Sequence, residues 1–471
     1  MANKYMDSTL LDKAIIFAVN AHANTERRGK GFPYIVHPLE AIEIVATITS
    51  DQEMLAAAAL HDVVEDTGTS IDDIKKEFGE RVASLVASES EKPVTDKSET
   101  DSWRERKLAA INRLENSSRD AKIIALGDKL SNMRAIYHDY MELGDKLWDR
   151  FHAPGGKPDH EWHYRGLARA LCELAGTFAF SEFTHLLTQV FGEPKPEKIN
   201  LDNYEQSGDG FTAISYNHKD GKSMIKLYAE YIPLETPITE LYTSWNIMDL
   251  GLNIPKAYSL VTDGIRIGVE FERITQKQSF ARAISNNPEK LEFYAKEFAK
   301  ECKKLHSTPC RKQNFPSIKK KFHHLVNDAT FLTKEEKSKA HNFINSTPDA
   351  ITCCHGDIHI GNIITDEKKN YWIDLADFAY GDPKFDLGMF WFVTHVDDEN
   401  LTQKLYHISC AQMLRVWEIF VMEYYGAHNK AEIHEIDKII KPYASFYFLL
   451  FIQRGIEEPF MKDFVKENIC R

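Results

Sequence analysis

The sequence predicts a protein of two domains: an all-α domain, followed by an α+β domain built from two lobes. The chain has 471 residues, which is more than one hydrophobic core usually organises. From about residue 10 to residue 190, nearly every segment carries apolar residues at helical spacing. Runs typical of strands, separated by turn residues, begin only after residue 200.

The N-terminal domain reads as a series of amphipathic helices. Segments such as LLDKAIIFAVNAHA, EMLAAAALHDVVED and AKIIALGDKLSNMRAIYHDY carry apolar residues three and four positions apart. Two polar stretches interrupt the series, at residues 88–102 and 152–160. Long loops in compact helical domains often act as lids or substrate loops, although some only cover the surface.

A linker is predicted at residues 192–200, GEPKPEKIN. This stretch has two prolines, alternating charges and no apolar periodicity. We therefore expect domains at residues 1–191 and 201–471.

The second domain begins with strand patterns and continues as helix. FTAISYNHKDGKSMIKLYAE predicts two strands about the turn Asp220-Gly221, and KAYSLV with IRIGVEFERI predicts another hairpin. The segment TELYTSWNIMDLG between them is helical. From Pro288 onward the pattern is helical, except for strands within residues 353–387.

Composition narrows the class of partner. The net charge of −13 argues against nucleic acid or an anionic membrane, because both attract basic surfaces. The N-terminus shows no secretory pattern, and the apolar run at residues 446–452 is too short to cross a bilayer. Seven cysteines without a CxxC pair suit a reducing compartment. We expect a cytoplasmic protein, and no pattern indicates an oligomeric state.

The segment AAAALHDVVED at residues 56–66 concentrates imidazole and carboxylate groups. On one continuous helix, His61 and Glu65 lie four positions apart, as do Asp62 and Asp66, so the two pairs form adjacent stripes. Such groups beside an alanine-rich face repel one another unless a cation or protons compensate. The pattern therefore predicts a metal site.

Two further candidate ligands lie elsewhere in the chain. His37 stands in PYIVHP at the start of a predicted helix, and Asp128 stands in a helix that is otherwise apolar on that side. A lone member of this set would read as a core histidine or a capping aspartate. A mixed His/Asp set instead suits manganese, iron or zinc with positions left open for water.

In order, PYIVHP, LHDVVEDT and GDKLSNMR resemble the HD-domain metal-dependent phosphohydrolases, over roughly residues 10–185. Within that family the chain is most similar to hydrolases that remove the 3′-pyrophosphate from guanosine alarmones. The resemblance implies Mn²⁺ or another transition-metal ion and a phosphorylated nucleotide as substrate. The family usually has Arg-Lys-Ser-Gly before Pro-Tyr, whereas this chain has RRGKGF.

The family's roles carry over residue by residue. The implied metal ligands are His37, His61, Asp62 and Asp128. The pair that activates or positions water is Glu65 and Asp66. The residues implied at the nucleotide are Arg28, Tyr34 and, near the sugar, Asn132.

The second candidate site lies in CCHGDIHIGNIITDEKKNYWIDLADFAYGDPKFDL, residues 353–387. Phosphoryl transfer needs a carboxylate that takes a hydroxyl proton and two ligands for a divalent cation. Asp357, Asn362 and Asp374 offer these groups in that order. A bare His-Gly-Asp would be an ordinary turn, but Asn and Ile-Asp following at these spacings favour a catalytic loop.

A kinase site also needs groups that hold the nucleotide phosphates. Lys226 lies in a predicted strand, and Glu240 opens the following predicted helix. Such a pair fixes an ammonium against the α- and β-phosphates. Spacing alone leaves a surface lysine and a solvated glutamate equally open. Gly208-Asp209-Gly210 is the weak candidate for a phosphate-covering turn, and EFERI (270–274) is the candidate for the segment facing adenine.

Together these segments resemble the aminoglycoside phosphotransferase and choline kinase-like family over roughly residues 200–471. The resemblance implies a two-lobed protein-kinase-like fold, ATP with Mg²⁺, and a small-molecule hydroxyl acceptor. Asp357 matches the base, Asn362 and Asp374 match the magnesium ligands, and Lys226 with Glu240 matches the phosphate-positioning pair. The short distance from Asp374 to Asp386 leaves no room for the activation segment of a protein kinase.

The two resemblances predict a bifunctional enzyme that handles phosphate. One domain hydrolyses a phosphorylated nucleotide, and the other phosphorylates a small-molecule hydroxyl with ATP. The alternative is a hydrolase whose kinase-like domain is a regulatory nucleotide-binding module.

Overall fold

The computed structural model describes residues 8–27, 29–89, 101–151, 153–210, 212–248, 250–310, 312, 314–456 and 458–470. Of the positions singled out above, Arg28, His152 and most of the loop at residues 88–102 lie outside the described residues.

The chain divides into two compact units. The first comprises the described residues up to Glu197 together with Tyr258–Leu260, and the second comprises the remaining described residues from Lys198 onward. The division falls inside the predicted linker. The domain boundaries at residues 191 and 201 themselves stay a prediction.

The described part of the first unit up to residue 191 is helical, as the sequence predicts, whereas its segment Tyr258–Leu260 lies in a strand. Its helices are α1 (Thr9–Ala21), α2 (Val36–Ala46), α3 (Gln52–Leu60), α4 (Val63–Asp66), α5 (Ile71–Phe78), α6 (Glu80–Glu89), α7 (Trp103–Glu115), α8 (Arg119–Leu143), α9 (Lys157–Ala170) and α10 (Phe178–Phe191). Short 3₁₀ segments follow α8 (Gly144–Arg150) and α9 (Cys172–Leu174).

Helix α8 is the centre of this unit, since it packs against α2, α3, α6 and α10. At Gly127 the approach to α2 is closest: a Cβ there would lie 2.8 Å from Val45 Cγ2 and 3.0 Å from the carbonyl oxygen of Ala41. Only glycine allows two backbones to come this close. The next residue, Asp128, is thereby brought against the start of α2.

The predicted single helix over residues 56–66 is interrupted in the structure. Helix α3 ends at Leu60 and α4 begins at Val63, so His61 and Asp62 form a junction. The Nδ1 atom of His61 lies 2.9 Å from the carbonyl oxygen of Ala58. In a continuous helix that carbonyl would accept from the N–H of Asp62, so the imidazole competes with the helix for its acceptor.

The second unit combines sheets with helices, which confirms the predicted α+β class. The strands are β1 (Glu197–Lys198), β2 (Tyr204–Asp209), β3 (Ala213–His218), β4 (Ser223–Tyr228), β5 (Ala257–Thr262), β6 (Ile267–Glu272), β7 (Gln278–Ser279), β8 (Thr352–Cys354), β9 (Ile363–Thr365), β10 (Asn370–Trp372) and β11 (Ala379–Gly381). Within β1 and β5, Glu197 and Tyr258–Leu260 are counted with the first unit. Its helices are α11 (Glu235–Met248), α12 (Phe280–Asn286), α13 (Leu291–Ser307), α14 (Ile318–Asp328), α15 (Lys334–Ser346), α16 (Pro383–Thr394), α17 (Glu399–Tyr406), α18 (Cys410–Tyr425), α19 (Lys430–Gln453) and α20 (Pro459–Ile469).

Three sheets position the candidate site of this unit. The largest has six strands in the order β1-β5-β6-β4-β3-β2, with β2/β3, β3/β4 and β4/β6 antiparallel. Two residues of the predicted linker, Glu197 and Lys198, thus form one edge strand of this sheet. Two smaller sheets, β10-β9-β7 and β11-β8, frame the stretch that carries His-Gly-Asp. Behind them lies a core rich in aromatic residues, including Phe298, Phe390 and Phe420.

Two remaining expectations concern membranes and thiols. Within the described ranges, no helix is both long enough and apolar enough to cross a membrane. Six of the seven cysteines are buried, as expected for side chains that fill the core.

Candidate functional sites

Four predicted ligands of the first unit converge in the structure. The Nε2 atoms of His37 and His61 lie 3.3 Å apart. Asp62 Oδ2 lies 3.3 Å from the first and 3.0 Å from the second, and Asp128 Oδ1 lies 3.2 and 3.7 Å from them. Atoms bound about 2.1 Å from one ion are separated by roughly 3 to 3.5 Å. The observed spacing therefore fits a common metal ion.

This group is distinctive within the described part of the chain. His37, His61 and Asp128 form the only cluster there of three or more residues able to share a metal ion, and all three are buried. Their ligand atoms lie within 4.8 Å of one another. A mixed imidazole and carboxylate set of this kind is compatible with manganese, iron or zinc.

Hydrogen bonds behind the cluster fix both imidazoles. His37 Nδ1 lies 2.7 Å from Ser131 Oγ, and that hydroxyl donates to Glu40 Oε2 at 2.6 Å. His61 Nδ1 is held by the carbonyl of Ala58. Because each Nδ1 is occupied by an acceptor, each Nε2 is left with its lone pair facing the cluster.

The chain of contacts continues outward through Arg134. Its guanidinium donates to Glu40 Oε1 at 3.0 Å and to both oxygens of Glu182 at 2.7 and 2.8 Å. Sequence reasoning did not identify Ser131 or Glu40. Each lies three positions from a predicted ligand on the same helix, and that spacing was the available signal.

Charges inside the cluster balance one another. Burial lowers the pKa of His61, but the carboxylates of Asp62 and Asp128 outweigh it and hold that pKa well above its usual range. Burial raises the pKa of Asp128, whereas Lys129 and the two imidazoles lower it further, to well below its usual range. Lys129 also contacts Asp128 Oδ2 directly. The carboxylates of Asp62 and Asp128 thus favour a positive charge at this point, which is the place that a metal cation would take.

Two of the three predicted nucleotide residues, Tyr34 and Asn132, contact the ligand carboxylates. Tyr34 donates its hydroxyl to Asp62 Oδ2 at 2.6 Å. Asn132 Nδ2 donates to Asp128 Oδ1 at 2.5 Å, and Arg27 donates to the Asn132 side chain at 3.1 Å. A ring of hydrogen-bonding groups therefore borders the cluster.

The predicted water-activating pair lies on α4, one turn beyond Asp62. Glu65 and Asp66 are both exposed, and the backbone N–H of Asp66 donates to the carbonyl of Asp62 at 2.9 Å. Burial, Asp62 and Asp66 together raise the pKa of Tyr34. The sequence assigned metal binding and water activation to one helix. In the structure, the predicted metal ligands His61 and Asp62 lie at the junction after α3, whereas Glu65 and Asp66 lie on the short helix α4.

His22 is a neighbour of this site that the sequence did not single out. It is the C-cap residue that follows α1, is 3% exposed, and its ring lies 4.7 Å from the ring of Tyr34. Among the described residues, neither of its ring nitrogens has a hydrogen-bond partner.

In the second unit, Asp386 shapes the loop that carries His-Gly-Asp. Its fully buried carboxylate accepts from the backbone N–H groups of His355 and Gly356 at 2.6 and 2.7 Å. His306 Nε2 lies 3.1 Å from the same carboxylate. Two charge-assisted hydrogen bonds to consecutive amides fix the loop and leave the next side chain, Asp357, partly exposed.

Asn362 connects the two predicted carboxylates. Its side-chain amide donates to the carbonyl oxygen of Asp357 at 2.9 Å and to Asp357 Oδ2 at 3.1 Å. Its own carbonyl accepts from the N–H of Ile373 at 3.0 Å, next to Asp374. Asp374 has φ 60° and ψ 59°, a left-handed conformation that persists in non-glycine residues mostly at functional sites.

Lys226 completes the group. Its ammonium lies 2.8 Å from Glu240 Oε1 and 2.5 Å from Asp374 Oδ1. Burial lowers the pKa of Lys226, but the two carboxylates hold it well above its usual range. The charge of Lys226 in turn lowers the pKa of Asp374. Glu240 lies in the second turn of α11 rather than at its start, and Tyr228 donates to its other oxygen.

The structure is less informative about the predicted glycine turn. Gly208 pairs in β2 beside a register shift, and the N–H of Gly210 donates to the carbonyl of Ala213 at 3.0 Å. Phe211 lies outside the described residues. The segment joins two strands, and its role at phosphates stays a prediction.

Comparisons with known proteins find one family in the N-terminal part of the chain and another in the C-terminal part. Residues 14–150 match the HD domain family, and residues 249–418 match the phosphotransferase enzyme family. The guanosine-3′,5′-bis(diphosphate) 3′-pyrophosphohydrolase of Mus musculus is 39% identical over 134 residues, which are 28% of this chain and 71% of that protein. A probable enzyme of the same name from Synechocystis is 37% identical over 134 residues.

The matched relatives differ in how much of their own length the alignment covers. The Synechocystis match spans 27% of this chain but only 17% of that relative's length. Among solved structures, a choline/ethanolamine kinase family protein from Mesorhizobium loti is 14% identical, with 56% of this chain and 85% of that chain covered and a TM-score of 0.34. Through its first unit the chain belongs to the HD-domain hydrolase family, and residues 249–418 are similar to the phosphotransferase enzyme family.

Proposed function

We propose that the chain is a bifunctional cytoplasmic enzyme. Its first unit hydrolyses the 3′-pyrophosphate of an alarmone-type nucleotide with Mn²⁺ or another transition-metal ion. Its second unit transfers a phosphoryl group from ATP, with Mg²⁺, to the hydroxyl of a small molecule. The observation that carries the first activity is the convergence of His37, His61, Asp62 and Asp128 on one point.

In the first unit, those four residues would hold the metal ion. Such an ion polarises a phosphoryl oxygen and lowers the pKa of bound water. Glu65 or Asp66 takes the proton of the attacking water, which requires a carboxylate in its ionised form. Tyr34 and Asn132 keep the oxygens of Asp62 and Asp128 oriented through their hydrogen bonds.

In the second unit, Asp357 accepts the proton of the acceptor hydroxyl. Asn362 and Asp374 would hold magnesium, which neutralises charge on the phosphates. Lys226, fixed by Glu240, contacts the α- and β-phosphates. The contact between Lys226 and Asp374 supports this assignment, because it joins the β4 lysine to the predicted magnesium ligand.

The hydrolase assignment is tested in the full chain by His61→Ala and Asp128→Ala. Both variants are expected to lose bound metal and hydrolysis of guanosine alarmones measured with Mn²⁺, because each removes a ligand. Asp357→Asn serves as the control and should hydrolyse alarmones normally. Full metal content and full activity in the two ligand variants would show that the assignment is wrong.

The transferase assignment is tested with the reciprocal pair. Asp357→Asn should abolish phosphoryl transfer from ATP across a panel of hydroxyl acceptors, and His61→Ala should leave it unchanged. If Asp357→Asn transfers phosphate like the wild type, Asp357 is not the base.

A regulatory nucleotide-binding role for the second unit is the second candidate. The segment from β2 to β3 offers glycine only at Gly208, within β2, and at Gly210, after it, and this sparse phosphate cover favours binding without turnover. In that case the wild type would bind ATP, transfer nothing to any acceptor, and change its alarmone hydrolysis rate when ATP is added.

A further inference from the structure

Strand β4 has two chemically different faces. Ile225 and Leu227 are fully buried in a small apolar cluster with Val261. Because side chains alternate along a strand, Met224 and Lys226 lie on the opposite face. Lys226 reaches Asp374 from that face, so the Met224 side of β4 borders the candidate nucleotide cleft.

A second lysine reaches the same face. The ammonium of Lys277 lies 3.6 Å from the sulfur of Met224, two residues along β4 from Lys226. Two residues of a strand span about 6.7 Å. Lys277 follows β6 and stands just before β7, and its neighbour Gln276 has φ 54°. The backbone therefore passes through a left-handed conformation immediately before Lys277.

The register of the sheet places Lys277 on the side predicted for the nucleobase. Met224 pairs with Phe271, whereas Lys226 pairs with Val269. Phe271 belongs to the segment 270–274 that the sequence predicts to face adenine. Lys277 therefore contacts the β4 residue on the predicted base side, two positions along the strand from the lysine assigned to the α- and β-phosphates.

The two lysines differ in their counter-ions. Lys226 is neutralised by two carboxylates, Glu240 and Asp374. Among the described residues, the side chain of Lys277 has no carboxylate partner and contacts only the weakly accepting sulfur of Met224. The side chain of Lys277 is exposed to solvent, and the charge of Asp374 acts on it against that of Arg273. The ammonium of Lys277 therefore keeps its donors available for an anion that enters the cleft.

We propose that Lys277 is a second nucleotide-binding cation, which contacts the α-phosphate of a nucleoside di- or triphosphate. The inference rests on the proposed function, since it assumes that a nucleotide occupies this cleft. Lys277 would determine how strongly the phosphate chain, rather than the base, is bound.

The test compares ligands that differ only in phosphate. Calorimetry on the full chain with Mg²⁺ measures the affinities of ADP, AMP and adenosine for the wild type, Lys277→Met and Lys277→Arg. Lys277→Met should weaken ADP and AMP by about tenfold, which one charge-assisted hydrogen bond supplies. Adenosine should be unaffected, and Lys277→Arg should stay within about threefold of the wild type. In steady-state assays, the KM for ATP should rise in Lys277→Met while kcat is unchanged.

Two controls separate this inference from the proposed function. Lys222→Met replaces an exposed lysine in the neighbouring turn and should leave all affinities unchanged. Lys226→Met should weaken ADP. If Lys277→Met binds ADP as tightly as the wild type, or loses as much affinity for adenosine as for ADP, Lys277 does not contact the phosphate. Either result would leave the nucleotide assignment itself intact. A wild type that binds no ADP, or normal ADP binding by Lys226→Met, would overturn the nucleotide assignment as well.

Discussion

The hydroxyl of Ser131 sets the protonation of a predicted metal ligand. It donates to Glu40 Oε2 at 2.6 Å, so its lone pairs are left to accept from His37 Nδ1 at 2.7 Å. The Nδ1 atom of His37 therefore carries the proton, and Nε2 is the ligand atom. A single oxygen two bonds from the cluster thus decides which imidazole nitrogen faces the metal.

Replacing Ser131 by alanine is expected to weaken Mn²⁺ binding by about 10- to 100-fold, because His37 loses the partner that fixes its tautomer. The measurement is a metal titration of the metal-depleted full chain. Ser118→Ala is the matched control: it removes the N-cap of the same helix, α8, and should lower stability by about 1 kcal/mol without changing metal affinity. Equal metal affinities in the two variants would contradict this role.

Gly356 is the residue on which the catalytic loop depends sterically. It has φ 82°, and a Cβ there would lie 2.1 Å from the carbonyl oxygen of Asp377. Gly356→Ala must therefore move the backbone beside Asp357. We expect phosphoryl transfer to fall at least tenfold and the unfolding free energy of the second unit to fall by about 3 kcal/mol, as measured by activity assays and denaturant titration.

Gly426 supplies the comparison for this substitution. It has a similar φ of 77°, but a Cβ there would meet nothing within 4 Å. Gly426→Ala should therefore lower stability by only about 1 kcal/mol and leave phosphoryl transfer intact. If both alanine variants behave alike, the contact with Asp377 does not shape the loop.

At the scale of elements, α7, α9 and the 3₁₀ segment after α8 enclose His160 in aromatic rings. Its ring lies 5.1 Å from Trp148, 4.8 Å from Phe151 and 5.5 Å from Trp103. Burial and the charge of Lys107 lower the pKa of His160 to about 4, against the weaker effect of Asp159. The imidazole is therefore neutral in the folded unit at neutral pH.

This burial makes the first unit sensitive to acid. In the unfolded chain the pKa of a histidine is near 6.5. Above that pH the imidazole is neutral in both states, so its burial costs no deprotonation and the full stability of the unit is present. Stability is lost as the pH falls from about 6.5 to about 4, because protons bind the unfolded chain first. His160→Phe should reduce the loss between pH 7 and pH 4.5 by about 2 kcal/mol.

Urea titrations at the two pH values measure this difference. The control is His185→Gln, because His185 is an exposed histidine on α10. It should show the same acid loss as the wild type. If the unfolding free energy of His160→Phe falls between pH 7 and pH 4.5 as much as that of the wild type, groups other than His160 cause the acid sensitivity.

Helices and strands could be predicted from the sequence more completely than the contacts between residues that lie far apart in the chain. Helical periodicity located α2, α3 and α8, and with them His37 and Asp128. The break at His61 was not predicted, because the apolar pattern continues through it and the competing hydrogen bond involves a side chain. Ser131 and Glu40 were missed because they meet across two helices that lie far apart in the chain. Lys277 lacks any motif, and only the register of β4 with β6 places it in the cleft.

At the scale of the whole molecule, two candidate sites lie in two units with separate cores. Each candidate site draws its residues from one unit alone: the HD cluster from α2, α8 and the junction after α3, and the cleft from β4, α11 and the catalytic loop. Since a ligand stabilises the unit that binds it, each site has its own thermodynamic signature.

Calorimetric unfolding of the full chain should therefore show two transitions that respond to different ligands. Mn²⁺ at about a hundred times its Kd stabilises the first unit by about 2.7 kcal/mol, which raises its transition by roughly 5 to 10 °C. ADP with Mg²⁺ should raise only the other transition. His61→Ala should remove the Mn²⁺ shift and keep the ADP shift, and Lys226→Met should do the reverse. A single transition that moves with either ligand would mean that the two units unfold together, and a Mn²⁺ shift that survives in His61→Ala would place the metal outside the HD cluster.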